Sequence, residues 1–347
     1  MYNNEERLIF GKDVAGLAQQ LTRYQILEAL REGQGQTVSG GELAEALNIS
    51  RTAVWKAIAT LQSEGYRIDS VPNRGYRFQE SEVFSAYEIQ RRLDTRIVGR
   101  PVVFLEEVDS TNDFAKNLAA QGGANGTAVV ARRQTKGKGR LGRRFESPAE
   151  KGVYFTLLLR PDIRLDVLNR ITLLAAVAIA DAVEELAGVR PGIKWTNDLY
   201  LGGRKLCGIL TECSVEGETG RVSYVAVGIG MNLHQTLADF PPELRSKAGS
   251  LEMVTGKHVA AADYAAAAFR CFERLFFDGN FPKNQEEVLR RYREGIFFLG
   301  KEIEVREFSG ASYRATALDI DGEGRLVIRD REGRIQALNS GEISIRF

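Results

Sequence analysis

Three stretches of the chain differ in the spacing of their hydrophobic positions, and each spacing predicts a different architecture. From Leu21 onward, apolar residues recur three and four positions apart, which is typical of amphipathic helices. Between residues 102 and 232, strand-like runs alternate with helical ones, which indicates an α+β sheet with helices on one face. Over residues 301–347, five short alternating runs separated by glycine-containing turns predict a small β-barrel. The pattern therefore predicts an α+β multidomain chain.

The first stretch has the spacing of a helix-turn-helix. Ser39 and Glu42 form the S-x-x-E pattern of a capping box, and Ser50 can cap the helix that follows. That helix has a core stripe at Val54, Ile58 and Leu61. Two short β-like runs, 66–71 and 75–78, come next with a turn between them. A hairpin after a recognition helix is a wing, so this stretch predicts a winged helix.

Positive charge in this region is concentrated on the elements that would read DNA. Residues 21–80 hold seven cations and seven acids, but residues 50–79 hold five cations against two acids. The candidate DNA-binding residues are Arg51, Thr52, Lys56 and Arg74. Trp55 lies among them, and we expect its indole to pack in the domain. A winged helix used only for protein contacts is the alternative interpretation.

The densest charge in the chain lies at residues 132–144, which read RRQTKGKGRLGRR: seven cations, three glycines and no acid. Such cations repel one another unless an anion lies among them, and glycine lets backbone N–H groups approach that anion. A polyphosphate fits, while a solvated or nucleic-acid-binding loop remains the alternative. Gly137, Gly139 and Gly142 also spell the dinucleotide fingerprint, which requires a helix directly afterwards. Residues 152–159 predict a strand instead.

Composition narrows the class of protein. The chain has 347 residues, 44% of them hydrophobic and 27% charged, with a net charge of +1. It has neither an apolar run of membrane length nor a signal peptide, so we expect a cytoplasmic protein without membrane association. Its three cysteines lack zinc or disulfide spacing, and reduced buried or half-buried thiols are expected. With only two histidines, neither a metal site nor a Ser/His/Asp triad is predicted.

Five short motifs follow one another in the central region. They are Ser110-Thr111-Asn112, the loop from Gln134 to Arg143, Lys194-Trp195-x-Asn197-Asp198, Lys205-Leu206-x-Gly208-Ile209-Leu210 and Gly228-Ile229-Gly230-x-Asn232. Each is weak alone: a lone strand-like Lys194 suits a transferring phosphoryl oxygen, and glycines inside a strand imply a chain or ligand against the backbone. Together they resemble biotin protein ligases. With the winged helix in front, the chain resembles the bifunctional BirA type, both biotin ligase and biotin-operon repressor.

The resemblance implies three domains and a set of site residues. The domains are a winged helix-turn-helix DNA-binding domain (1–80), a ligase domain (81–297) and an SH3-like C-terminal domain (298–347). The biotin-binding residues it implies are Ser110, Thr111, Gln134, Gly137, Tyr154, Lys194, Gly208, Gly228 and Gly230. Those implied for ATP and the adenylate are Asn112, Lys138, Gly139, Arg140, Arg143, Asn197 and Asn232. Lys194 and Arg140 are the implied catalytic residues, and no metal ligand is implied.

The resemblance also implies a reaction and its partners. Biotin and ATP would form biotinyl-5′-AMP, with Mg²⁺ arriving on ATP, and a lysine of the biotin carboxyl carrier protein of acetyl-CoA carboxylase would then take the biotin. The adenylate would act as corepressor by promoting a homodimer on operator DNA upstream of biotin genes. The sequence departs from the family at four positions. Lys136 stands where a small residue is common and Lys138 where arginine is usual. Phe145 stands where tryptophan is frequent and Thr196 where proline is frequent.

Three alternatives share the same general architecture. A lipoate-type ligase has the same fold, although the Lys194-Trp195 and glycine–arginine motifs favour biotin. A regulator that senses the ligand without catalysis is disfavoured by the presence of Lys194, Arg140 and Arg143. A ligase whose winged helix does not repress is compatible with the sequence.

Overall fold

The computed structural model describes residues 14–217, 220–306, 312–339 and 342–344. The chain divides into two compact units, Met1–Glu88 and Ile89–Phe347. The ends of two strands predicted from sequence, at Glu307 and at 345–347, lie outside the described residues. None of the helices within the described ranges is long and apolar enough to cross a bilayer.

The first unit has the predicted winged-helix elements. They are α1 (Val14–Glu32), α2 (Gly40–Ala46), α3 (Arg51–Ser63), β1 (Ile68–Val71) and β2 (Gly75–Phe78), and β1 and β2 pair antiparallel. The Ser39–Glu42 capping box forms, and the Ser50 hydroxyl accepts from the N–H of Ala53 at 3.1 Å. Two starts differ: α1 begins before the apolar pattern does, and β1 begins at Ile68 rather than at residue 66. A Cβ on Gly75 would strike the Val38 carbonyl, so glycine lets the wing pack closely on the segment before α2.

The core of the first unit comes from the predicted apolar stripes. Its fully buried side chains include Ile26, Leu27, Leu30, Val54, Ile58 and Leu61. Trp55 is 60% exposed, so the expectation that its indole packs is wrong. The reason is helical geometry: each residue advances the side chain by about 100° around the helix, and Trp55 follows the buried Val54 directly. The indole therefore lies beside the exposed cations of α3.

The second unit is built on a seven-stranded sheet in the order β3-β4-β5-β9-β8-β7-β6. The strands are β3 (Val102–Val108), β4 (Ala128–Gln134), β5 (Gly152–Leu159), β6 (Gly192–Lys194), β7 (Asp198–Leu201), β8 (Arg204–Val215) and β9 (Val222–Asn232). Strands β3 and β4 pair in parallel and the other neighbours pair antiparallel. Strand β5 spans residues 152–159, the run that the sequence predicts as a strand, and every one of its residues is buried.

The helices of this unit follow the predicted order. They are α4 (Ala86–Gln90, which contains the boundary between the units), α5 (Thr111–Ala120), α6 (Leu168–Ala187), α7 (Leu251–Thr255), α8 (Ala261–Glu273) and α9 (Gln285–Gly295). Helix α6 ends at Gly188, whose φ of 68° is left-handed. A separate 3₁₀ turn, Leu165–Val167, precedes α6. Helix α8 packs against α6 and continues into a π-helical turn, Arg274–Asp278.

The C-terminal strands form a separate five-stranded antiparallel sheet, which confirms the predicted run of short strands. They are β10 (Glu302–Arg306), β11 (Ser312–Ile320), β12 (Leu326–Asp330), β13 (Ile335–Leu338) and β14 (Glu342–Ser344), in the order β13-β12-β11-β10-β14. A turn of this sheet reaches the ligase-like motif, because the Trp195 indole N–H donates to the Gly324 carbonyl at 3.0 Å. The C-terminal sheet therefore braces the segment that carries Lys194.

Candidate active site

A cavity of about 660 Å³ in the second unit brings the five motifs together. Its wall includes fourteen of the residues for which sequence predicted a biotin or adenylate role: Ser110, Thr111, Asn112, Gln134, Lys138, Gly139, Arg140, Arg143, Lys194, Asn197, Gly208, Gly228, Gly230 and Asn232. Gly137 and Tyr154 are not among the lining residues. Residues that are separated by more than one hundred positions in the chain thus share one concave surface.

Neutral hydrogen-bonding groups on one part of the wall hold each other in place. The Gln134 amide oxygen accepts from the backbone N–H of Thr111 at 2.8 Å and lies 3.0 Å from its hydroxyl. The amide nitrogen of Gln134 donates to the hydroxyl of buried Ser147 at 2.9 Å. Ser110 is the N-cap residue of α5 and is buried. These contacts fix the orientation of the glutamine, so its position is set before any ligand arrives.

Asn112 is the most tightly held of these groups. Its amide oxygen accepts from the Thr156 hydroxyl at 2.6 Å, and its nitrogen donates to Leu210 O at 3.1 Å and to the Glu212 carboxylate at 2.8 Å. A Cβ on Gly228 would collide with that amide oxygen. Gly228 therefore serves the close approach of a side chain from this same chain, where the sequence had implied a ligand or another chain.

The aromatic ring of Phe145 covers the two other glycines predicted to form the biotin wall. A Cβ on Gly230 would lie 2.6 Å from the ring of Phe145, and one on Gly208 would lie 3.4 Å from it. Tyr154 makes an edge contact with Phe145 at 6.4 Å between ring centroids, and its buried hydroxyl donates to Pro148 O at 3.1 Å. Burial raises the pKa of Tyr154 well above its ordinary value. Tyr154 thus supports Phe145 from behind the wall.

Gly137 also lies behind the wall, at the base of the loop formed by residues 132–144, hereafter the cationic loop. Its carbonyl accepts from the N–H of Phe145 at 2.9 Å. A side chain there would meet the Phe145 carbonyl and the Ser147 hydroxyl. Gly137 consequently lets the two ends of the loop cross closely, and it positions Phe145 through the backbone.

Most cations of the cationic loop are paired with carboxylates outside it. Arg132 pairs with Glu106 at 2.6 Å and with Glu150 at 2.7 Å, and Arg133 pairs with Glu107 at 2.7 Å. The other pairs are Lys136–Asp109 at 2.9 Å, Lys138–Asp113 at 2.6 Å and Arg144–Glu146 at 3.3 Å. The expectation that these cations need a bound anion is therefore wrong for five of the seven. Their repulsion is relieved by neighbouring strand and helix ends.

The loop does not build a dinucleotide site. Strand β4 precedes it, but a 3₁₀ turn at Arg140–Gly142 follows, with Leu141 at a φ of 59°, and the next regular element is β5. The fingerprint needs a helix opening at that point. The glycines of this loop serve a different turn.

Arg140 and Lys194 line the cavity from two separate segments, the cationic loop and strand β6. The Arg140 guanidinium donates to the Thr196 hydroxyl at 3.0 Å and to the Asn197 amide oxygen at 3.2 Å. Thr196 stands where the family often has proline, and here it supplies a hydrogen-bond acceptor that proline lacks. The Lys194 ammonium lies 5.4 Å from the centroid of the Tyr200 ring, within cation–π range. Lys194 is half-buried, and it lies in the cavity wall.

The cavity as a whole is strongly positive. Its described lining holds eight cations (Lys138, Arg140, Arg143, Arg144, Lys194, Lys205, Lys247 and Arg306) and two carboxylates, Glu146 and Asp198. Asp198 is already paired with Lys205 at 2.7 Å. Such an imbalance in a concave site attracts an anion, and several arginines suit phosphate oxygens. The site can therefore hold a ligand that is neutral over one part and polyanionic over another.

Sequence reasoning missed several groups of this site. Lys247 and Arg306 line the cavity from outside the five motifs, and no local signal marks them. Thr156, which orients Asn112, carried a signal: it is the one polar residue in the buried run 153–159. A buried hydroxyl in such a strand needs a partner.

Comparison with known proteins matches each part of the chain in order. An HTH domain matches at residues 22–77, the biotin/lipoate A/B protein ligase family at 104–232, and the biotin protein ligase C terminal domain at 298–346. Over 324 residues the chain is 36% identical to the bifunctional ligase/repressor BirA of Bacillus subtilis, which covers 93% of this chain and 98% of that protein. The chain belongs to the bifunctional ligase/repressor BirA family.

Two further relatives of this BirA-family chain support the ligase half. The biotin--[acetyl-CoA-carboxylase] ligase of Mycobacterium tuberculosis is 28% identical over 265 residues, covering 73% of this chain and 94% of that protein. The structure of the biotin protein ligase from Aquifex aeolicus in complex with biotin and ATP superposes with a TM-score of 0.59 at 29% identity, over 71% of this chain and 99% of that one. The predicted family and fold class are confirmed, and the chain is a biotin ligase with the HTH domain of a repressor.

The HTH unit of this BirA-family chain exposes its predicted DNA-binding residues. Arg51, Thr52 and Lys56 are exposed on α3, and Arg74 is exposed at the tip of the wing. Arg77, also on the wing, is paired with Asp69 at 3.0 Å. Hydrogen bonds from Arg77 and Gln79 lower the pKa of Asp69, so this pair stays charged at neutral pH and removes one cation from the reading surface.

Proposed function

We propose that the chain joins biotin to ATP as biotinyl-5′-AMP, and then transfers the biotin to a lysine of the biotin carboxyl carrier protein of acetyl-CoA carboxylase. The observation that carries the proposal is the cavity that joins a fixed neutral network to eight cations. Biotin has a neutral ring system and one carboxylate, and ATP supplies the polyanion. The names of the relatives agree with this chemistry.

Each part of the wall has a chemical task in this proposal. Ser110, Thr111 and Gln134 hydrogen-bond the biotin ring beside the wall formed by Gly208, Gly228 and Gly230, with Gly137 and Tyr154 supporting that wall. The adenylate is held by Asn112, Lys138, Gly139, Arg140, Arg143, Asn197 and Asn232. The biotin carboxylate attacks the α-phosphorus of ATP, and pyrophosphate leaves. Lys194 and Arg140 neutralise oxygens that gain charge in that step.

Magnesium belongs to the substrate side of this proposal. Only two carboxylates lie on the described cavity wall, and both are already paired, Asp198 with Lys205 and Glu146 with Arg144. Mg²⁺ takes oxygen ligands and is commonly held by substrate phosphates with one or two carboxylates. It would therefore arrive with ATP, and the phosphates would supply most of its ligands.

A second activity is proposed for the first unit. Residues 1–80 would bind operator DNA upstream of biotin genes, residues 81–297 would carry the ligation chemistry, and residues 298–347 would brace the site. Five cations on the reading elements can neutralise few phosphates, and one of these is already paired. Two copies on one dimer would reach a palindromic site together. Biotinyl-5′-AMP would act as corepressor by favouring that dimer. The cytoplasm is the proposed compartment, in keeping with three free cysteines.

The ligation proposal is tested by the substrate pair. The chain should catalyse biotin-dependent exchange of pyrophosphate into ATP and should label the carrier protein at one lysine. Lipoate in place of biotin is the matched control, because the same fold serves lipoate ligases. Exchange supported equally by lipoate, or absent with biotin, would refute the substrate assignment.

The repression proposal is tested by measuring operator binding and oligomeric state together. Operator footprinting and sedimentation should be run with and without biotinyl-5′-AMP under the same conditions. The expected result is a dimer and a protected operator only when the adenylate is present. Tight operator binding by a species that stays monomeric would refute the dimer mechanism. Equal operator affinity without the adenylate would refute the switch, and both outcomes leave the ligase test unaffected.

A further inference from the structure

Both histidines of the chain meet at one carboxylate, outside the cavity lining and two residues beyond Asn232. His234 Nδ1 lies 2.7 Å from Glu252 Oε2, and His258 Nδ1 lies 3.2 Å from the same oxygen. The two imidazole rings are stacked, with 4.5 Å between centroids and 19° between planes. Since the sequence holds only two histidines, their meeting is a specific feature of the fold.

The three side chains come from three separate segments. His234 follows the end of β9, Glu252 is the second residue of α7, and His258 lies in the connection between α7 and α8. His234 is mostly buried, with 17% of its side chain exposed, while Glu252 and His258 are 43% and 49% exposed. The backbone also joins two of the segments, because Glu252 N–H donates to Leu233 O at 2.9 Å. The cluster is therefore anchored on one side and open to solvent on the other.

We propose that His234, Glu252 and His258 form a binding site for a divalent transition-metal ion of the zinc class. Their ligand atoms all lie within 4.8 Å of one another. Two ligands of a tetrahedral zinc ion with bonds near 2.0–2.1 Å are about 3.3 Å apart. The His258–Glu252 distance of 3.2 Å already has that value, and the His234–Glu252 distance of 2.7 Å needs a small opening. Two imidazoles and a carboxylate with one solvent position are a ligand set that zinc accepts.

The ordinary alternative is a pair of hydrogen bonds from imidazole to carboxylate. In that arrangement both rings must place an N–H on the same oxygen, Glu252 Oε2. A metal ion changes the requirement, because each Nδ1 then presents a lone pair and the carboxylate supplies negative charge. Because each Nδ1 lone pair lies in the plane of its own ring, the stacked rings must turn relative to each other when both bind one ion. The two arrangements differ in one measurable respect, which is uptake of metal.

A metal ion here would tie down the turn that carries Asn232. Gln235 donates to the Asn232 amide oxygen at 2.9 Å, and the hydroxyl of buried Ser250 donates to Gln235 O at 2.7 Å. His234 lies between Asn232 and Gln235 in the chain, so a metal bound to it links this turn to α7. The expected consequence is higher thermal stability in the presence of the metal, since a ligand that binds only the folded state stabilises it. This consequence does not depend on the ligase reaction.

The test uses the full chain, stripped with chelator and titrated with Zn²⁺ alone by calorimetry. The wild-type chain should bind one equivalent, and His258→Gln and His234→Ala should each weaken binding by at least about tenfold, since even outer-shell partners are worth 10–100-fold. Cys213→Ser is the matched control for adventitious binding of zinc to a thiol, because Cys213 is the half-buried cysteine. This variant should bind zinc as the wild-type chain does. Co²⁺ in place of Zn²⁺ should give a tetrahedral absorption spectrum that His258→Gln removes.

Two results would overturn the proposal. The first is a wild-type chain that takes up no zinc under these conditions. The second is zinc binding that survives His258→Gln unchanged, or that Cys213→Ser removes. His258 is exposed in a connecting segment, so its replacement by glutamine should leave the fold intact, and circular dichroism checks this. Thermal melting with and without Zn²⁺ is the second readout: the metal-dependent rise in Tm should be present in Cys213→Ser and absent in His258→Gln.

Discussion

Two regions that face the same cavity are held in place by different forces. The sheet wall around Asn112, Thr156 and Gly228 is buried, and its polar groups are joined by hydrogen bonds of 2.6–3.1 Å. The cationic loop is mostly exposed, and ion pairs at the surface hold its cations. A buried group left without its partner costs about 1–3 kcal/mol, whereas an exposed ion pair contributes roughly 0–1 kcal/mol.

This difference separates the two parts of the proposed ligand. The wall can recognise a neutral ring system because its donors and acceptors are already oriented, and little ordering is needed on binding. The loop can exchange its carboxylate partners for phosphate oxygens at small net cost, since each ion pair is weak and solvated. We infer that the wall determines which carboxylic acid substrate is bound and that the loop closes over the adenylate.

Replacement of Lys194 by alanine should nearly abolish adenylate formation. Its ammonium lies in the cavity wall over Tyr200 and meets charge that develops at phosphorus. Loss of one such group lowers the rate by roughly 10²–10³. Pyrophosphate exchange measures the rate, and calorimetry with biotin shows that the variant still binds. Lys283→Ala removes an exposed lysine of the same unit that does not line the cavity, and serves as the control. Exchange within tenfold of wild type would remove Lys194 from the chemistry.

Replacement of Arg140 by alanine should weaken the adenylate far more than biotin. Charged hydrogen bonds are worth about 1.5–3 kcal/mol, which is roughly a ten- to 150-fold loss of adenylate affinity. The variant should also release biotinyl-5′-AMP and label bystander lysines. Titrations with biotin and with the adenylate give the comparison directly. A biotin affinity that falls as far as the adenylate affinity would show that the wall and the loop do not divide the ligand.

Alanine substitutions at Gly228 and at Gly230 should distinguish a contact with a fixed side chain from a contact with a movable one. A Cβ at Gly228 strikes the Asn112 amide, which Thr156, Leu210 and Glu212 hold in place. A Cβ at Gly230 meets the ring of Phe145, which can turn away. Gly228→Ala should therefore lose about 1–3 kcal/mol of stability, and Gly230→Ala clearly less. Thermal melting of both variants makes the comparison, and equal losses would show that the Asn112 network is not the rigid part.

Asp113→Asn should have the smallest effect. Burial opposes its ionisation, but hydrogen bonds from Lys138 and Lys116 outweigh this and lower the pKa of Asp113. Its contribution is therefore full at neutral pH and disappears as pH falls below about 4, the value of an unperturbed aspartate. We expect a loss below about 1 kcal/mol at pH 7. Asp166→Asn, at an exposed pair outside the loop, is the control. A loss of several kcal/mol would mean that the loop is as fixed as the wall.

Much of the fold and most of the cavity residues follow from local sequence. Strand β5 and helix α6 were predictable because their apolar runs are long, and the Ser39–Glu42 cap because its spacing is short. The five motifs identified the cavity because each contains a charged or amide residue, and three of them also contain glycine. These signals lie within a few positions of one another, and local spacing is what a sequence displays.

The remaining features depend on register between distant segments. Parallel pairing of β3 with β4 places Glu107 opposite Arg133, so a loop that is unbroken positive charge in sequence is neutralised in space. The meeting of His234, Glu252 and His258 depends on how α7 packs against the end of β9. None of these relations leaves a periodic trace in the chain.

Hydrogen exchange on the intact chain tests the contrast between wall and loop most directly. Amides of residues 137–144 and of strands β5 and β9 should be followed in the free protein, with biotin, and with biotinyl-5′-AMP. Amides of β5 and β9 should be protected in the free protein, and their exchange rates should change by less than about twofold on ligand binding. The adenylate should slow amide exchange in the loop at least about tenfold. Biotin alone should leave the loop exchanging almost freely. A loop that biotin protects as strongly as the adenylate does, or strands that gain protection only with ligand, would contradict the account.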